Sequence, residues 1–325
     1  MKIIQGGNID ALKGKTVAVI GYGAQGRAQA LCMHDSGVNV IVGVRKDGDS
    51  WKKVKDDGLN PAVVSDAAAK GDIIHILIPD EVQGDVYEKE IKPHVKKGKT
   101  LSFSHGFNIV FKRIVPPPDV DVIMVAPKAP GTEERKRYLE GFGVPGLVAV
   151  KQNPSGKAHD TALAIAAACG FTRAGVIDCT FEQETYEDIF GEQAVLCGGL
   201  SELIKAGFET LVEKGYPPEM AYFECLHEMK LIVDLVQEGG LSYMWHVVSN
   251  TAEYGGRTRG KMIITPEVRK NMKEILKNVE NGKFAEEWIN EYKNGLPNLK
   301  RLREEEAKHP IEVVGKEIRA LFRKK

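Results

Sequence analysis

The chain has 325 residues, enough for two domains, and its hydrophobic share of 42% and charged share of 28% are ordinary for a globular protein. Lysine plus arginine balance aspartate plus glutamate at 45 each, so no overall field favours nucleic acid or a membrane surface as a partner. The five cysteines are scattered, the N-terminal segment lacks the apolar core of a signal peptide, and no apolar run reaches the roughly 18 residues of a membrane helix. We therefore expect a cytoplasmic enzyme.

Short apolar strands alternate with helical segments in the first half of the chain. The strands are expected at residues 16–20, 38–44, 72–78, 100–103, 121–126 and 146–150, and the helices at Ala24–Asp35, Trp51–Asp57 and Ser155–Cys169. Near-continuous apolar runs are typical of parallel strands that are covered on both faces. The alternation predicts an α/β domain with a Rossmann-like, doubly wound parallel sheet at residues 1–180.

The second half of the chain has a different pattern. From about Phe181 the strand-like runs stop and long amphipathic stretches follow, so an all-α domain is expected at residues 181–325. Its helices are predicted at 182–214, 218–238, 241–253, 266–278, 284–294 and 310–323, with the pair Gly239-Gly240 ending the second of them.

A glycine-rich hexapeptide follows the first predicted strand and opens the first predicted helix. It consists of Gly21, Tyr22, Gly23, Ala24, Gln25 and Gly26. In this position, glycines let the backbone approach a pyrophosphate at a helix N-terminus. The hexapeptide therefore predicts a dinucleotide site.

The loop after the second strand normally decides between NADH and NADPH. Here it contains Arg45, Lys46, Asp47, Gly48, Asp49 and Ser50. The basic residues and the serine could hold a 2′-phosphate, whereas the two aspartates would repel one and could accept hydrogen bonds from a free ribose hydroxyl. The two acids favour NADH, and NADPH stays open as the alternative.

Other polar segments follow later strands, where ligands of open α/β sheets bind. The first segment contains Asp80, Glu81, Val82 and Gln83, and the others contain His105 and the turn from Lys128 to Gly131. We predict a functional role for His105 and a positive charge from Lys128 that balances nearby carboxylates.

Two pairs of carboxylates are spaced four residues apart in the helical half. They are Asp188 with Glu192, and Glu224 with Glu228. Such a spacing places both members of a pair on one helix face, where like charges repel unless they have a counter-charge. The second pair lies in an apolar run that we expect to be buried. Four buried carboxylates favour a hard cation with oxygen ligands, so these pairs predict a Mg²⁺ site.

Several runs together resemble the ketol-acid reductoisomerase family over nearly the whole chain. They are GYGAQG (21–26), SHGFNI (104–109), KAPG (128–131), ETYEDIFGEQAVLCGG (184–199), MAYFECLHEMKLIVDL (220–235) and SNTAEYG (249–255). The chain is similar to the shorter class of this family, with one helical domain that is often knotted and shared by two subunits. The resemblance implies alkyl migration in a 2-hydroxy-2-alkyl-3-keto acid such as 2-acetolactate or 2-aceto-2-hydroxybutyrate. Hydride reduction then gives the 2,3-dihydroxy acid of valine and isoleucine biosynthesis.

The same resemblance implies roles for individual residues. Asp188 matches a bridge between two Mg²⁺ ions and Glu192 a ligand of one of them, while Glu224 and Glu228 match ligands from the other subunit of a homodimer or larger oligomer. We expect the nucleotide to contact the hexapeptide, residues 45–50, residues 80–83 and Gly131. Predicted catalytic residues are His105, Lys128 and Glu228, and predicted substrate contacts are Ser249, Pro130 and Cys197.

The loop at residues 45–50 departs from the common pattern of this family. Gly48 replaces the serine that is typical of members using NADPH, and an aspartate stands on either side of it. The turn after Lys128 also has Ala129 and Thr132 where glycine and histidine are usual, which makes its contacts less typical of the family. The departure in the loop again favours NADH.

Other classes of protein compete with this interpretation. A hydroxyacid or sugar-acid dehydrogenase would leave the helical carboxylates unexplained, and a nucleotide sensor without catalysis would have no reason to hold a metal. A di-iron oxidase expects a matched pair of Glu-x-x-His motifs, and the chain has this spacing at Glu224 to His227. The other instance, Glu306 to His309, lies in a charged run that ends at Pro310 and is typical of a solvated segment, which argues against this class.

Overall fold

The computed structural model describes residues 2–322 and divides into two compact units, Met1–Glu187 and Asp188–Lys325. The boundary between the units falls inside one helix, Phe181–Gly191. A functional division at residue 180 stays a prediction. Within the described part of the chain, no helix combines the length and the apolar character that crossing a bilayer requires.

The strands of the first unit form one mixed sheet. Within residues 2–322 they are β1 (Ile3–Ile4), β2 (Thr16–Ile20), β3 (Asn39–Gly43), β4 (Asn60–Ala62), β5 (Ile73–Ile76), β6 (Thr100–Phe103), β7 (Asp121–Pro127), β8 (Gly146–Gln152) and β9 (Val176–Asp178). Their order in the sheet is β1-β9-β8-β7-β6-β5-β2-β3-β4. All neighbours pair in parallel except β7 with β8 and β1 with β9. The predicted fold class is confirmed, although the sheet is not entirely parallel.

Helices follow most strands of this unit. They are α1 (Ala24–Asp35), α2 (Asp49–Asp56), α3 (Val64–Lys70), α4 (Asp80–Val86), α5 (Phe107–Val110), α6 (Gly131–Leu139), α7 (Ala158–Ala168), α8 (Phe171–Ala174) and α9 (Phe181–Gly191). Single turns of 3₁₀-helix lie at Asp10–Leu12 and Lys92–His94, and a π-helical turn lies at Tyr87–Ile91.

Both faces of the sheet are buried. Val17 and Val19 of β2 belong to one apolar cluster, whereas Ala18 and Ile20 belong to another. Because successive side chains of a strand point to opposite faces, this division places one cluster on each face. The covering of both faces explains why the strands are almost continuously apolar.

The second unit is helical and continues from α9. Its helices are α10 (Gly198–Glu213), α11 (Pro218–Tyr222), α12 (Met229–Val247), α13 (Asn250–Ile263), α14 (Pro266–Glu280), α15 (Lys283–Lys293), α16 (Pro297–Lys308) and α17 (Pro310–Phe322). Two π-helical turns, Glu192–Leu196 and Phe223–His227, interrupt the run of α-helix. A small core contains Phe208, Tyr222 and Ile311.

The predicted boundaries in this unit are only partly correct. The stop predicted at Gly239-Gly240 is confirmed, because Gly240 has φ of 81° and ψ of 178° and forms a kink between two helical segments of α12. The next helix begins after Ser249, whose hydroxyl accepts a hydrogen bond from the Ala252 amide at 3.2 Å, as an N-cap does. Helix α16 was missed because its charged run suggested a solvated segment without an apolar face. The predicted end of the last helix, Arg323, lies outside the described residues.

Candidate active site at the carboxyl edge of the sheet

The three glycines of the hexapeptide have different physical roles. Gly21 has φ of 106°, and a Cβ there would lie 2.7 Å from the Leu77 carbonyl oxygen, so only glycine fits this turn. A Cβ on Gly26 would lie 2.4 Å from the Gly21 carbonyl oxygen, so its absence lets α1 pack closely on the turn. A Cβ on Gly23 would meet nothing within 4 Å, and this open space lies at the N-terminus of α1. A ligand's phosphates can approach there.

The turn before α6 packs directly on this loop. The Gln25 side-chain amide donates a hydrogen bond to the Ala129 carbonyl oxygen at 2.9 Å. A Cβ on Gly131 would come within 2.3 Å of the Ala24 carbonyl oxygen. The segment that carries Lys128 and Pro130 is therefore held against the predicted nucleotide loop.

Tyr22 and Arg27 both bind Asp57, the C-cap residue that follows α2. The Tyr22 hydroxyl donates to the Asp57 carboxylate at 2.8 Å, and two guanidinium nitrogens of Arg27 donate to it at 2.7 Å each. Burial and the hydrogen bond to Asp57 raise the pKa of Tyr22. The Arg27 guanidinium holds the pKa of Asp57 below its ordinary value. These bonds attach α2 to the glycine-rich loop.

The predicted specificity loop connects β3 to α2. Arg45, Asp47 and Asp49 are exposed, and Asp47 has φ of 60°, a left-handed conformation that aspartate tolerates better than most residues. Asp49 lies in the first turn of α2, where the helix dipole favours a negative charge. A Cβ on Gly48 would lie 3.4 Å from the nearest atom, so a side chain fits at that position.

The segment predicted at residues 80–83 forms the first turn of α4. The Asp80 carboxylate accepts hydrogen bonds from Gln83 at 3.2 Å and from Asn108 at 3.3 Å. Burial raises the pKa of Asp80 to about 6, with the nearby His105 opposing the shift. Burial therefore favours the protonated form of Asp80 more than in an exposed aspartate.

Glu184 joins the two predicted catalytic residues of this unit. Its buried carboxylate accepts a hydrogen bond from Lys128 Nζ at 3.1 Å and lies 3.1 Å from His105 Nδ1. The Gly106 amide donates to the same carboxylate at 3.2 Å. Burial alone would raise the pKa of Glu184, but His105 and Lys128 outweigh it and hold the pKa below the ordinary value. Glu184 is therefore a buried anion between two potential cations.

Glu184 is not among the site residues predicted from the sequence, although the sequence contains a signal for it. Glu184 precedes Asp188 by four residues, the same spacing as within each predicted acidic pair. The fold brings α9 very close to the loop after β6, since a Cβ on Gly106 would lie 2.2 Å from the Thr185 hydroxyl. That close approach places Glu184 beside His105. Residue spacing within one helix cannot predict it, because the contact is with a distant loop.

Asp188 lies one turn further along the same helix as Glu184. Carboxylate oxygens of these two residues lie within 4.8 Å of each other, and Asp188 is half-buried. Glu192 begins the π-helical turn that follows and is exposed. Oxygen donors of this kind suit a hard cation such as Mg²⁺.

Each predicted acidic pair has a member in a π-helical turn. The backbone bonds from Cys197 to Glu192 and from Glu228 to Phe223 span five residues, at 3.0 and 3.1 Å. The first turn depends on Gly198, because a Cβ there would lie 2.2 Å from the Gln193 carbonyl oxygen. Such turns are frequent at functional sites, and spacing alone did not predict them.

The expected burial around the second pair is wrong for the single chain. Glu224 and Glu228 are exposed, and so are the apolar side chains of Leu231, Ile232 and Val233 that follow them. An apolar helix face needs an element that covers it, and within residues 188–322 none lies over this one. In that same range, no three histidine, cysteine or acidic side chains gather closely enough to hold one ion.

The remaining predicted contacts have ordinary local roles. The Ser249 hydroxyl is an N-cap, Cys197 is exposed at the start of α10, and Pro130 precedes α6. The second Glu-x-x-His spacing does not form a metal ligand pair, because Glu306 binds Lys205 at 2.6 Å and His309 binds Glu209 at 2.9 Å. This pairing removes the basis for a di-iron centre.

The glycine-rich loop and the sheet order define the first unit as a Rossmann-like dinucleotide-binding domain. The family model described as "Acetohydroxy acid isomeroreductase, NADPH-binding domain" matches residues 11–175, and that described as "Ketol-acid reductoisomerase, C-terminal domain" matches residues 181–324. The chain therefore belongs to the ketol-acid reductoisomerase family, whose members are nicotinamide-dependent enzymes.

Individual relatives agree over the full length. Ketol-acid reductoisomerase (NAD(+)) of the uncultured archaeon GZfos26G2 is 63% identical over 100% of both chains. Ketol-acid reductoisomerase (NADP(+)) of Akkermansia muciniphila is 64% identical over 97% of this chain and 96% of its own. The solved structure of an NADH-preferring ketol-acid reductoisomerase from an uncultured archaeon matches with a TM-score of 0.97 at 62% identity, covering 100% of both chains.

Proposed function

We propose that this protein is a Mg²⁺-dependent ketol-acid reductoisomerase that acts on 2-acetolactate or 2-aceto-2-hydroxybutyrate. The product would be the 2,3-dihydroxy acid on the route to valine and isoleucine. The observation that supports this most is the cluster of His105, Lys128 and Glu184 at the end of β6 and β7. It lies at the same edge of the sheet as the open glycine-rich loop, and one helical turn before Asp188.

The acidic residues fit hard cations because every donor is a carboxylate oxygen. We propose that Asp188 and Glu192 hold two Mg²⁺ ions together with Glu224 and Glu228 of a second copy. When bound, the ions supply Lewis-acid polarisation of the substrate ketone and stabilise the developing alkoxide.

The protein's own residues then position groups and move protons. A hydrogen on His105 Nδ1 can donate to Glu184, which fixes the ring and its tautomer, so His105 orients substrate rather than starting the chemistry. Lys128 places a positive charge beside Glu184 and offsets the acidic cluster. Glu228 is proposed to carry a proton from the tertiary alcohol.

A direct assay tests this function. The purified protein should oxidise NADH in the presence of 2-acetolactate and Mg²⁺, and EDTA should abolish the turnover. Turnover that persists in EDTA would favour a hydroxyacid dehydrogenase, and nucleotide binding without any turnover would favour a sensor.

We propose NADH as the preferred nucleotide. Asp47 and Asp49 lie within the loop that we expect beside a 2′-phosphate, and their charges would repel it. One relative is named for NAD(+), although another is named for NADP(+). Comparison of kcat/KM for the two nucleotides decides the point. A tenfold preference for NADPH, worth about 1.4 kcal/mol, would overturn the proposal.

A loop without its two aspartates provides the matched test. The triple variant Asp47→Asn, Gly48→Ser, Asp49→Asn should raise kcat/KM for NADPH relative to NADH by about tenfold, because it removes two repelling charges and adds a hydroxyl donor. Asparagine tolerates the left-handed conformation of residue 47, and Gly48 has room for a side chain. An Asp56→Asn variant, whose charge lies at the other end of α2, serves as the control.

We also propose that two copies complete each site. The support is the exposure of Glu224 and Glu228 on a helical surface with exposed apolar side chains.

We propose a cytoplasmic location, with which free thiols at all five cysteines agree.

Mixed dimers test the sharing of the site. Asp188→Asn and Glu224→Gln should each be inactive alone, yet refolding them together should restore about a quarter of the wild-type activity, because each mixed dimer has one site without either change. If the mixture stays inactive, each site is built from one chain.

A further inference from the structure

A continuous chain of hydrogen bonds runs through the interior of the first unit. Ser102 Oγ lies 2.8 Å from His75 Nδ1, and His75 Nε2 lies 2.6 Å from Gln29 Oε1. Gln29 Nε2 donates to Ser104 Oγ at 3.0 Å, and Ser104 Oγ donates to the Val125 carbonyl oxygen at 2.9 Å. Ser102, His75 and Gln29 are fully buried, although none of them belongs to the proposed chemistry.

The direction of every bond follows from the last one. The Val125 carbonyl can only accept, and its 2.9 Å bond is shorter than the 3.3 Å contact from Ser104 Oγ to Gln29 Oε1, so Ser104 donates to Val125 and accepts from the Gln29 amide nitrogen. The Gln29 carbonyl oxygen therefore accepts from His75, which must carry its proton on Nε2. His75 Nδ1 then accepts from Ser102. Burial lowers the pKa of His75 to about 4, which agrees with the neutral ring that this pattern requires.

These hydrogen bonds join the elements that carry the glycine-rich loop and His105, the two parts of the site in this unit. Gln29 lies on α1, one turn beyond the last glycine of the nucleotide loop, and His75 lies on β5. Ser104 immediately precedes His105, whose ring contacts Glu184. Because a buried polar group that loses its partner must move or stay unsatisfied, each bond restrains the next.

We propose that Gln29 and His75 are positioning residues, which fix Ser104 and thereby the placement of His105 relative to the glycine-rich loop. This role rests on the proposed function, because it gives His105 a place in the chemistry. It uses no contact between these residues and substrate or nucleotide.

The effect of a substitution should become smaller as more hydrogen bonds separate the substituted residue from Ser104. Gln29→Leu should lower kcat by about tenfold or more, since small displacements of catalytic groups have effects of this size. His75→Leu should have a smaller effect, and Ser102→Ala should change kcat less than about twofold. KM for the acetohydroxy acid should stay within about twofold in all three, because the substituted residues do not touch it.

An isosteric carboxyl at position 29 separates positioning from mere stability. In Gln29→Glu, a protonated carboxyl can accept from His75 and donate to Ser104, whereas an ionised carboxylate cannot donate. Burial raises the pKa of such a carboxyl. The variant should therefore approach wild-type kcat at low pH and lose activity as pH rises, while Gln29→Leu stays low throughout. If Gln29→Leu does not fold, this variant alone supports or overturns the proposal.

Thr161→Val is the matched control. Thr161 lies on α7 and is also buried, and its hydroxyl donates to the Lys157 carbonyl oxygen at 3.1 Å. It is distant in sequence from the hydrogen-bonded residues described above. The control should leave kcat and its pH profile unchanged even if it lowers the unfolding temperature.

A readout without turnover keeps this proposal separate from the proposed function. Imidazole ¹⁵N spectra should show His75 with its proton on Nε2, and the His105 signals should shift in Gln29→Leu but not in Thr161→Val. Unchanged His105 signals, or an equal loss of kcat in Ser102→Ala and Gln29→Leu, would overturn the positioning role. A wild-type protein that fails to convert 2-acetolactate would instead refute the proposed function, with the spectra still interpretable.

Discussion

The two units of this chain bury their apolar side chains to very different degrees. In the first unit the strand residues Val17, Ile74 and Leu101 are fully buried. In the second unit Leu241 is 65% exposed and Met262 is 71% exposed. A sheet covered by its own helices is complete as a single chain, whereas helices with bare apolar faces need a partner. The bare faces of the second unit therefore support the proposal that a second copy completes each site, whereas the first unit shows no comparable need.

The acidic helix at the boundary should show the largest effect. Asp188→Asn should lower kcat by about 10²–10³-fold, because it removes a carboxylate proposed to hold both ions at the reacting centre. The exposed neighbour Glu187→Gln is the control and should retain activity. Steady-state kinetics across Mg²⁺ concentrations measure both. Asp188→Asn with unchanged rearrangement and Mg²⁺ dependence would contradict the bridging role.

A charge on the bare helical surface should break the proposed assembly. Leu231 is 60% exposed on α12, and Leu231→Asp should shift the protein to monomer and lower activity by about tenfold or more, because a buried interface cannot take an unpaired charge. Sedimentation velocity and kcat/KM report the two effects.

The first unit offers a control for this substitution. Leu139 is 65% exposed at the end of α6, and this helix belongs to the first unit, whose core is already covered. Leu139→Asp should leave both the assembly and the activity unchanged. If the two variants behave alike, exposure in the second unit does not mark an interface.

The last expected effect concerns the stability of the first unit rather than activity. Glu134 on α6 is fully buried, and neither carboxylate oxygen has a hydrogen-bond partner among residues 2–322. Burial raises its pKa from 4.5 to about 8. Between these values the unfolded chain releases the proton and the folded chain keeps it, so stability falls as pH rises, by up to about 1.4 kcal/mol per pH unit.

Substitution of this residue should flatten that dependence. Glu134→Gln should lose the decline between about pH 5 and 8, because the amide has no proton to release. Urea unfolding across this range measures the effect, with the exposed Glu140→Gln as control. An equally steep decline in Glu134→Gln would assign the pH dependence to other groups.

Local sequence patterns predicted the parts of the site that depend on neighbours in the chain. The glycine-rich hexapeptide needs only a strand before it and a helix after it, and the structure has both. The ends of β6 and β7 likewise place His105 and Lys128 at one edge, because parallel strands end there together. The antiparallel direction of β8 relative to β7 was not predicted, because an apolar run does not reveal the direction of a strand.

The sequence by itself determined the fold class, the glycine-rich loop and the acidic helix, because each is a short-range pattern of residue types. Only the tertiary structure decided that Glu184 lies between His105 and Lys128, that Gln29 and His75 connect two strands to α1, and that Glu224 is exposed. These facts depend on which distant segments approach within hydrogen-bond distance. Close packing at Gly106 and the cover over each apolar face set those approaches, and neither can be seen in one segment alone.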